Sequence, residues 1–167
     1  MLGRMSRAFV KEDRAEAPLV VPRVPLPEGT TNYVTARGLA LLREELAALE
    51  TERARHLATG EGDAGFGERI ADLEARVGSA VLVDPRALSH DEVRFSARVT
   101  LRSGTGVERR YRIVGVDEAE PSSGRIAFIA PLARSLLGRR LGDVVALKSG
   151  GVEDEFEIAV IDYEPET

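Results

Sequence analysis

With 167 residues, the chain is long enough for one domain, or two small ones, with a buried core. Its net charge of −5 argues against a general nucleic-acid-binding protein, which needs a basic surface to displace counterions from phosphates. The absence of cysteine excludes disulfides and thiolate metal sites, and no apolar run approaches the roughly 18 residues of a membrane-spanning helix. We therefore expect a cytoplasmic protein that does not associate with membranes.

The N-terminal segment, residues 1 to about 32, combines prolines with charged residues. Each proline removes a backbone donor and biases its predecessor toward extended geometry, which disfavours a helix. We interpret residues 1–32 as a disordered tail, with a segment that becomes ordered on a partner as the alternative. Met1 and Met5 are both candidate translation starts.

Residues 33–84 contain two stretches with helical spacing. The first follows Thr35, a residue type that caps helix N-termini. The positions that recur at alternating spacings of three and four are Leu39, Leu42, Leu46, Leu49, Arg53 and His56, followed by Ile70, Leu73, Val77 and Ala80. Glycines at positions 60, 62, 65 and 67 interrupt the pattern between them. Each set of positions forms a narrow stripe, or seam, along one helix. Because a helix with such a narrow seam is not stable alone, we predict that the two helices pack as an antiparallel coiled-coil hairpin.

From about residue 90 to 165 the periodicity becomes that of a sheet. Apolar and polar residues alternate from Val93 to Arg102, which is typical of a half-buried strand. Pro131 suits the first position of a short helix that ends at Gly138. The remaining strands are predicted at residues 107–116, 125–129, 144–147 and 156–161. The predicted fold class is α+β, with a helical hairpin followed by an antiparallel sheet and one short helix.

Four short motifs occur in order along the chain. They are NYVTARG at residues 32–38, YRIVG at 111–115, PLARSLLG at 131–138 and GDVV at 142–145. Together they resemble the motifs of the bacterial GreA/GreB transcription elongation factors, the Gre family. The similarity spans about residues 32–163, so the chain is identified as a member of that family.

The resemblance implies an FKBP-like C-terminal domain that docks at the rim of the RNA polymerase secondary channel, and a coiled coil that enters the channel. In the cleavage factors of the family, two acidic residues at the hairpin tip hold a magnesium ion in the polymerase active site. Carboxylate oxygens suit that hard cation, which can activate water for phosphodiester hydrolysis. By this analogy the protein is not itself an enzyme. We expect a monomer with no cofactor, whose partner is RNA polymerase and whose contact with nucleic acid is indirect.

The hairpin tip departs from the family pattern. Glu61 and Asp63 are its carboxylates, but no Asn-Ala-Glu-Tyr segment follows them, and they are two positions apart where the family has three. Two interpretations stay open, a reduced catalytic tip and a solvated polar turn. The hairpin is also about twenty residues shorter than in the family, and the loss of about ten from each arm shortens it by about 15 Å. Because coordination requires contact within roughly 2–2.5 Å, we predict weak or absent stimulation of transcript cleavage.

The predicted docking surface also differs from the family pattern. Ile129 and Ala130 precede Pro131, where the Gre pattern has a polar Asp or Asn two residues before the proline. The related Rnk proteins, short-hairpin relatives that bind polymerase without cleaving, have an apolar APxxxxLLG sequence there. The candidate polymerase-binding residues are Ile129, Pro131, Leu132, Arg134, Leu136 and Leu137. Arg134, Arg139 and Arg140 either bind the carbonyl end of the short helix or contact polymerase or nucleic acid.

Two other functions stay open. An FKBP-like fold allows a prolyl isomerase, although that activity uses an aromatic-lined pocket and aromatic residues make up only 5% of this chain. The other alternative is a module that binds a different protein through the proline-containing tail. His56 and His90 have no companion ligands at metal-site spacing, so no metal site is predicted.

Overall fold

The structure, a computed structural model, describes residues 23–63, 65–149 and 151–163. The N-terminal part of this region contains two helices, α1 at Ala36–Thr59 and α2 at Phe66–Gly78. They are flanked by two short strands, β1 at Asn32–Val34 and β2 at Ala80–Leu82. Most of the predicted tail, residues 1–22, lies outside the described residues. No helix in the described ranges is both long and apolar enough to cross a membrane.

Helix α1 begins and ends where the sequence predicts. Thr35 is its N-cap, and the amide of Gly38 donates to the Thr35 hydroxyl over 2.9 Å. Gly60 ends the helix with a φ of 77°, a left-handed conformation that glycine adopts without steric cost. The prediction that Gly67 also breaks the helices is wrong, because α2 already starts at Phe66 and includes it.

The two helices pack through the predicted leucine seam. Leu42 and Leu49 of α1 are buried with Ile70 and Leu73 of α2, and Phe66 closes the cluster near the connection between the helices. The last seam position, Ala80, does not extend α2 as expected but belongs to strand β2.

Strands β1 and β2 were not predicted. They pair in parallel, with the register Asn32 to Ala80 and Val34 to Leu82. The side-chain amide of Asn32 also donates to the carbonyl of Arg76 over 2.8 Å, so the start of α1 lies beside the end of α2. The two helices therefore run in opposite directions. Strands of three residues are too short to show a period in the sequence.

The C-terminal part of the chain forms a five-stranded sheet with the order β5-β4-β3-β7-β6. Its strands are β3 at Arg98–Ser103, β4 at Glu108–Val114, β5 at Arg125–Ala127, β6 at Val144–Ser149 and β7 at Val152–Asp162. The sheet is mostly antiparallel, as predicted, and the exception is at one edge, where β5 runs parallel to β4. Between these two strands the chain passes through 3-10 turns at Val116–Glu118 and Pro121–Ser123 and returns to the level of Arg112, so that β5 runs in the same direction as β4.

The first strand of the sheet is shorter than the alternation of residues suggests. Strand β3 starts at Arg98, not Val93, because Ser96 has a φ of 73° and turns the chain. Val93 and Ala97 are nevertheless fully buried, so the apolar positions were predicted correctly but not their conformation. Helix α3, at Pro131–Leu136, covers one face of the sheet and ends two residues before the predicted Gly138.

A buried ionic junction joins the helical pair to the sheet. It is centred on Asp117 and Glu118 in the 3-10 turn after β4. Glu118 is 5% exposed, accepts a hydrogen bond from the Thr35 hydroxyl and lies 3.2 Å from Nη1 of Arg37. Asp117 is contacted by Arg23 at 2.5 Å and by Arg76 of α2 at 3.4 Å. Both helices and the segment that precedes β1 are therefore tied to the same turn.

Backbone also approaches backbone closely at this junction. A Cβ atom added at Gly115 would lie 2.8 Å from the carbonyl oxygen of Tyr33, closer than non-bonded carbon and oxygen atoms approach each other. Because the obstacle is main chain, it cannot rotate away as a side chain does.

We expect Gly115→Ala to lower the free energy of unfolding by about 1–3 kcal/mol, since the added methyl group forces β1 away from the turn. Urea denaturation followed by circular dichroism measures this. Gly78→Ala is the control, because nothing lies within 4 Å of its Cβ position and alanine favours a helix. Equal stability of Gly115→Ala and the wild type would contradict the close approach.

Candidate protein-docking surface and interhelical turn

The docking residues predicted from the sequence lie in helix α3 or directly beside it, and most of them reach the surface. Pro131 and Arg134 are exposed, while Ile129, Leu132 and Leu137 are partly buried. Leu136 differs, because it is fully buried in the core of the sheet domain. It supports α3 from inside and offers no surface to a partner.

One side of α3 borders a concave surface that we call the α3 groove. Its lining residues come from α3 and from strands β4 and β6, two strands that are not neighbours in the sheet. They are Arg109, Tyr111, Pro131, Leu132, Ser135, Ala146, Leu147 and Lys148. The Ser135 hydroxyl donates to the Leu132 carbonyl over 2.7 Å, so it stabilises the helix locally. The groove therefore combines apolar side chains with the cationic Arg109, whereas Lys148, next to the buried Leu147, points to the other face of the sheet and contacts Glu153.

The other side of α3 borders an aromatic groove. The rings of Tyr33, Phe95 and Phe128 lie with centroids 5.7–5.8 Å apart in tilted and edge-on arrangements, and Leu137 lines the same groove. Sequence reasoning missed this site. Its rings come from β1, from the turn before β3 and from the residue after β5, so no spacing in the sequence connects them.

The sequence allows two roles for Arg134, Arg139 and Arg140, which are to bind the carbonyl end of α3 or to contact a partner. The segment around Val93 pairs with residues 138–140, where the amide of Val93 donates to the Arg139 carbonyl over 2.7 Å. This places Arg139 and Arg140 beyond the helix on a surface ridge. In the described part of the chain, no guanidinium group of Arg134, Arg139 or Arg140 donates to a carbonyl of α3. The structure thus gives no support to the helix-end role.

The carboxylates of the interhelical turn are both engaged locally. Glu61 lies 2.9 Å from Nδ1 of His56, and Asp63 lies 2.5 Å from Nε of Arg53. The Asp63 carboxylate also accepts a hydrogen bond of 3.0 Å from the amide of Gly67, in the first turn of α2. These contacts bind the turn to the helices that flank it.

Asp63 shows the electrostatic effect of this arrangement. The hydrogen bond from the Gly67 amide, together with Arg53, holds the pKa of the Asp63 carboxyl below its ordinary value of 3.8. Within residues 23–63, 65–149 and 151–163, no three histidine, aspartate or glutamate side chains converge as a metal site would require. The turn has the chemistry of a capped connection between helices.

Comparison with known proteins identifies the family to which this chain belongs. The model of the GreA/GreB C-terminal domain of transcription elongation factors matches residues 88–163. GreA of Alkalilimnicola ehrlichii is 34% identical over 152 alignment positions, which cover 78% of this chain and 96% of that protein. The chain belongs to the GreA/GreB family. GreB of Neisseria meningitidis serogroup A is also 34% identical, over 155 positions that cover 80% of this chain and 95% of that protein.

A solved structure of a GreA/GreB elongation factor from Nitrosomonas europaea is similar as well. It aligns with 22% identity and a TM-score of 0.43, over 78% of this chain and 98% of that chain.

The alignments also show a difference in length. The match to Alkalilimnicola GreA occupies 152 positions, but 78% of a 167-residue chain is only about 130 residues. About 20 positions of that Gre factor therefore have no counterpart here. The match to Neisseria GreB shows a deficit of similar size.

The Asp63 contacts generate a pH prediction. Because the folded-state pKa lies below the unfolded value, the Asp63 interactions stabilise the fold fully above the unfolded pKa. That contribution is lost as the pH falls through the folded pKa. NMR titration of the carboxyl carbon should give a depressed pKa that Arg53→Gln raises only in part, since the Gly67 amide remains. Arg55→Gln, on the same helix, should leave this pKa unchanged, and an ordinary pKa in the wild type would contradict the geometry.

Proposed function

We propose that this protein is a regulator of transcription elongation that binds RNA polymerase near its secondary channel and stimulates transcript cleavage weakly or not at all. The observation that carries the proposal is the alignment with GreA and GreB factors over almost their whole length, combined with the deficit of about 20 positions. The protein would act on the polymerase without being an enzyme itself.

Docking is assigned to the sheet domain, which we expect to be FKBP-like. Around α3 this domain presents exposed Pro131 and Arg134 beside partly buried Leu132 and Leu137. Apolar side chains at a surface, rimmed by arginines, are the composition of protein–protein contact sites. Because α3 itself rests on the fully buried Ala133 and Leu136, the core of the sheet domain holds this surface in place in the absence of a partner.

The helical pair would be the part that points toward the channel, as a short coiled-coil hairpin. The family model matches the sheet domain from residue 88 onward, so we place the missing positions before residue 88, in the helical pair. At 1.5 Å per residue, about ten fewer residues on each arm leave the turn about 15 Å short of the reach of its relatives.

The turn itself supports weak cleavage stimulation. Glu61 and Asp63 already pair with His56 and Arg53, so a metal ion would have to displace those contacts. A carboxylate that is both paired and out of reach contributes no ligand to the polymerase active site. The protein could then regulate by occupying the channel entrance in competition with longer factors.

One observation favours a second candidate, the binding or isomerisation of proline-containing peptides. The aromatic groove of Tyr33, Phe95 and Phe128 is the type of surface on which proline rings pack. A peptide isomerisation assay with wild type and Phe128→Ala tests it. Catalysis that depends on Phe128 would favour this candidate over a purely docking role.

We expect the protein to bind purified core RNA polymerase and to leave a backtracked complex almost uncleaved, because its turn is short and self-paired. Binding is measured by fluorescence anisotropy and cleavage by the release of labelled RNA, with a full-length Gre factor as the positive control. Glu61→Gln with Asp63→Asn should change neither result. Robust cleavage that this double substitution removes would contradict the proposal, and so would the absence of binding.

We also expect Leu132→Glu and Arg134→Glu to weaken polymerase binding by about tenfold or more, since both side chains lie at the proposed contact. The matched controls are Val107→Glu, an exposed apolar residue in the turn between β3 and β4, and Arg86→Glu, an exposed arginine elsewhere. Circular dichroism checks that each variant is folded. An equal loss in the controls would show that the α3 surface is not the docking site.

A further inference from the structure

The segment that precedes β1 connects the helical pair to the sheet domain. We call residues 23–31 the N-terminal strap. The guanidinium group of Arg23 lies 2.7 Å from the carboxylate of Glu45 in α1 and 2.5 Å from that of Asp117, in the 3-10 turn after β4. One side chain of the strap therefore joins a helix to the sheet domain.

The strap also contacts α2. Nη2 of Arg76 donates to the carbonyl of Val24 over 2.6 Å, and Nε of the same side chain lies 3.4 Å from Asp117. The side chains of Arg76 and Asp117 are largely shielded from water, with 10% and 7% exposed. Opposite charges attract each other more strongly in such surroundings than at an open surface. The strap is thus held between α2 and the turn after β4.

The carboxylate of Asp117 depends on the strap for hydrogen bonding. Among the described residues, Arg23 is the side chain that donates a hydrogen bond to it, and its Oδ2 atom is buried without any hydrogen-bond partner. A buried carboxylate that loses its hydrogen bond is destabilised, because water no longer solvates it. The sheet domain therefore places an acidic group that the strap satisfies.

The contact with Glu45 lies some distance along α1 from the other attachments of this helix. Thr35 and Arg37 hold the first turn of α1 against Glu118. Glu45 follows Arg37 by eight residues, which corresponds to about 12 Å along a helix. A helix held at its first turn alone can pivot there, whereas a second contact farther along opposes that motion. Because the strap also binds Asp117, this contact is anchored to the sheet domain.

We propose that the N-terminal strap is a conformational device that fixes the direction of the helical pair relative to the sheet domain. In the closed state Arg23 bridges Glu45 and Asp117, as in this structure. In the released state the helical pair pivots at the start of α1. Release begins at Glu45, because its side chain is 49% exposed and an exposed ion pair contributes little. The consequence for where the turn points on a docked polymerase rests on the proposed function.

The strap precedes the part of the chain that is similar to Gre factors. The match to Alkalilimnicola GreA occupies 78% of this chain and 96% of that protein. Because the family model reaches residue 163, an aligned region of that length begins after the strap. This chain therefore adds the strap to the part that it shares with that GreA.

The test measures the distance between the interhelical turn and the sheet domain by double electron–electron resonance. Spin labels are attached to the full-length protein at Ala58→Cys and Val107→Cys, two exposed positions in a chain that has no cysteine of its own. We expect a narrow distance distribution in this parent protein. In Arg23→Gln and Glu45→Gln the distribution should be about twofold broader or more. Glu44→Gln is the matched control, because Glu44 is exposed and makes no ion pair within the described ranges.

Glu45→Gln decides the test even if Arg23→Gln does not fold, because it leaves the hydrogen bond to Asp117 in place. An unchanged distribution in Glu45→Gln would overturn the inference. A broad distribution in the parent protein, or equal broadening in Glu44→Gln, would overturn it as well. The measurement needs no polymerase, so its outcome is independent of whether the proposed function holds.

Discussion

The arrangement of this protein depends on one buried carboxylate, that of Glu118. A charge removed from water is tolerated only where it is paired and hydrogen-bonded, and here the partners are the Thr35 hydroxyl and Arg37. Thr35 also caps α1 through the Gly38 amide, so one hydroxyl group both starts the helix and attaches it to the sheet domain. The position of the helical pair is therefore set where α1 begins.

This attachment has a functional consequence, because the two parts of the molecule have different tasks in the proposed mechanism. The sheet domain provides the docking surface around α3, and the helical pair provides the reach. Asp117 strengthens the connection by contacting Arg76 of α2 and Arg23 before β1. With these contacts at the junction, the length of the helices decides how far the turn extends from the sheet domain. If the roughly 20 positions that this chain lacks relative to the Gre factors belong to the helices, as proposed, the turn extends less far from the docked sheet domain.

The charged side chains of the turn between the helices and those of the α3 groove have different surroundings. In the turn between the helices, acidic and basic side chains neutralise one another, as Asp63 does with Arg53. Beside the apolar residues of the α3 groove, the guanidinium group of Arg109 stacks on the Phe156 ring. The pairing in the turn therefore stabilises the connection between the two helices. This pairing is consistent with the proposed function, in which the sheet domain docks and the turn supplies no metal ligand.

Sequence alone determined the family, the α+β class and most of the elements, because periodicity, capping residues and turn residues act locally. The Thr35 cap, the leucine seam and the start of α3 at Pro131 follow from residues within one or two turns of each other. Only the tertiary structure decided the β1–β2 pairing, the parallel edge strand and the two grooves beside α3. These depend on contacts between residues far apart in the chain, such as Tyr33 with Phe95 and Phe128, and no local pattern encodes such contacts. The burial of Leu136 also depends on the tertiary structure. The packing of the six-residue helix α3 on the sheet decides which of its faces is covered.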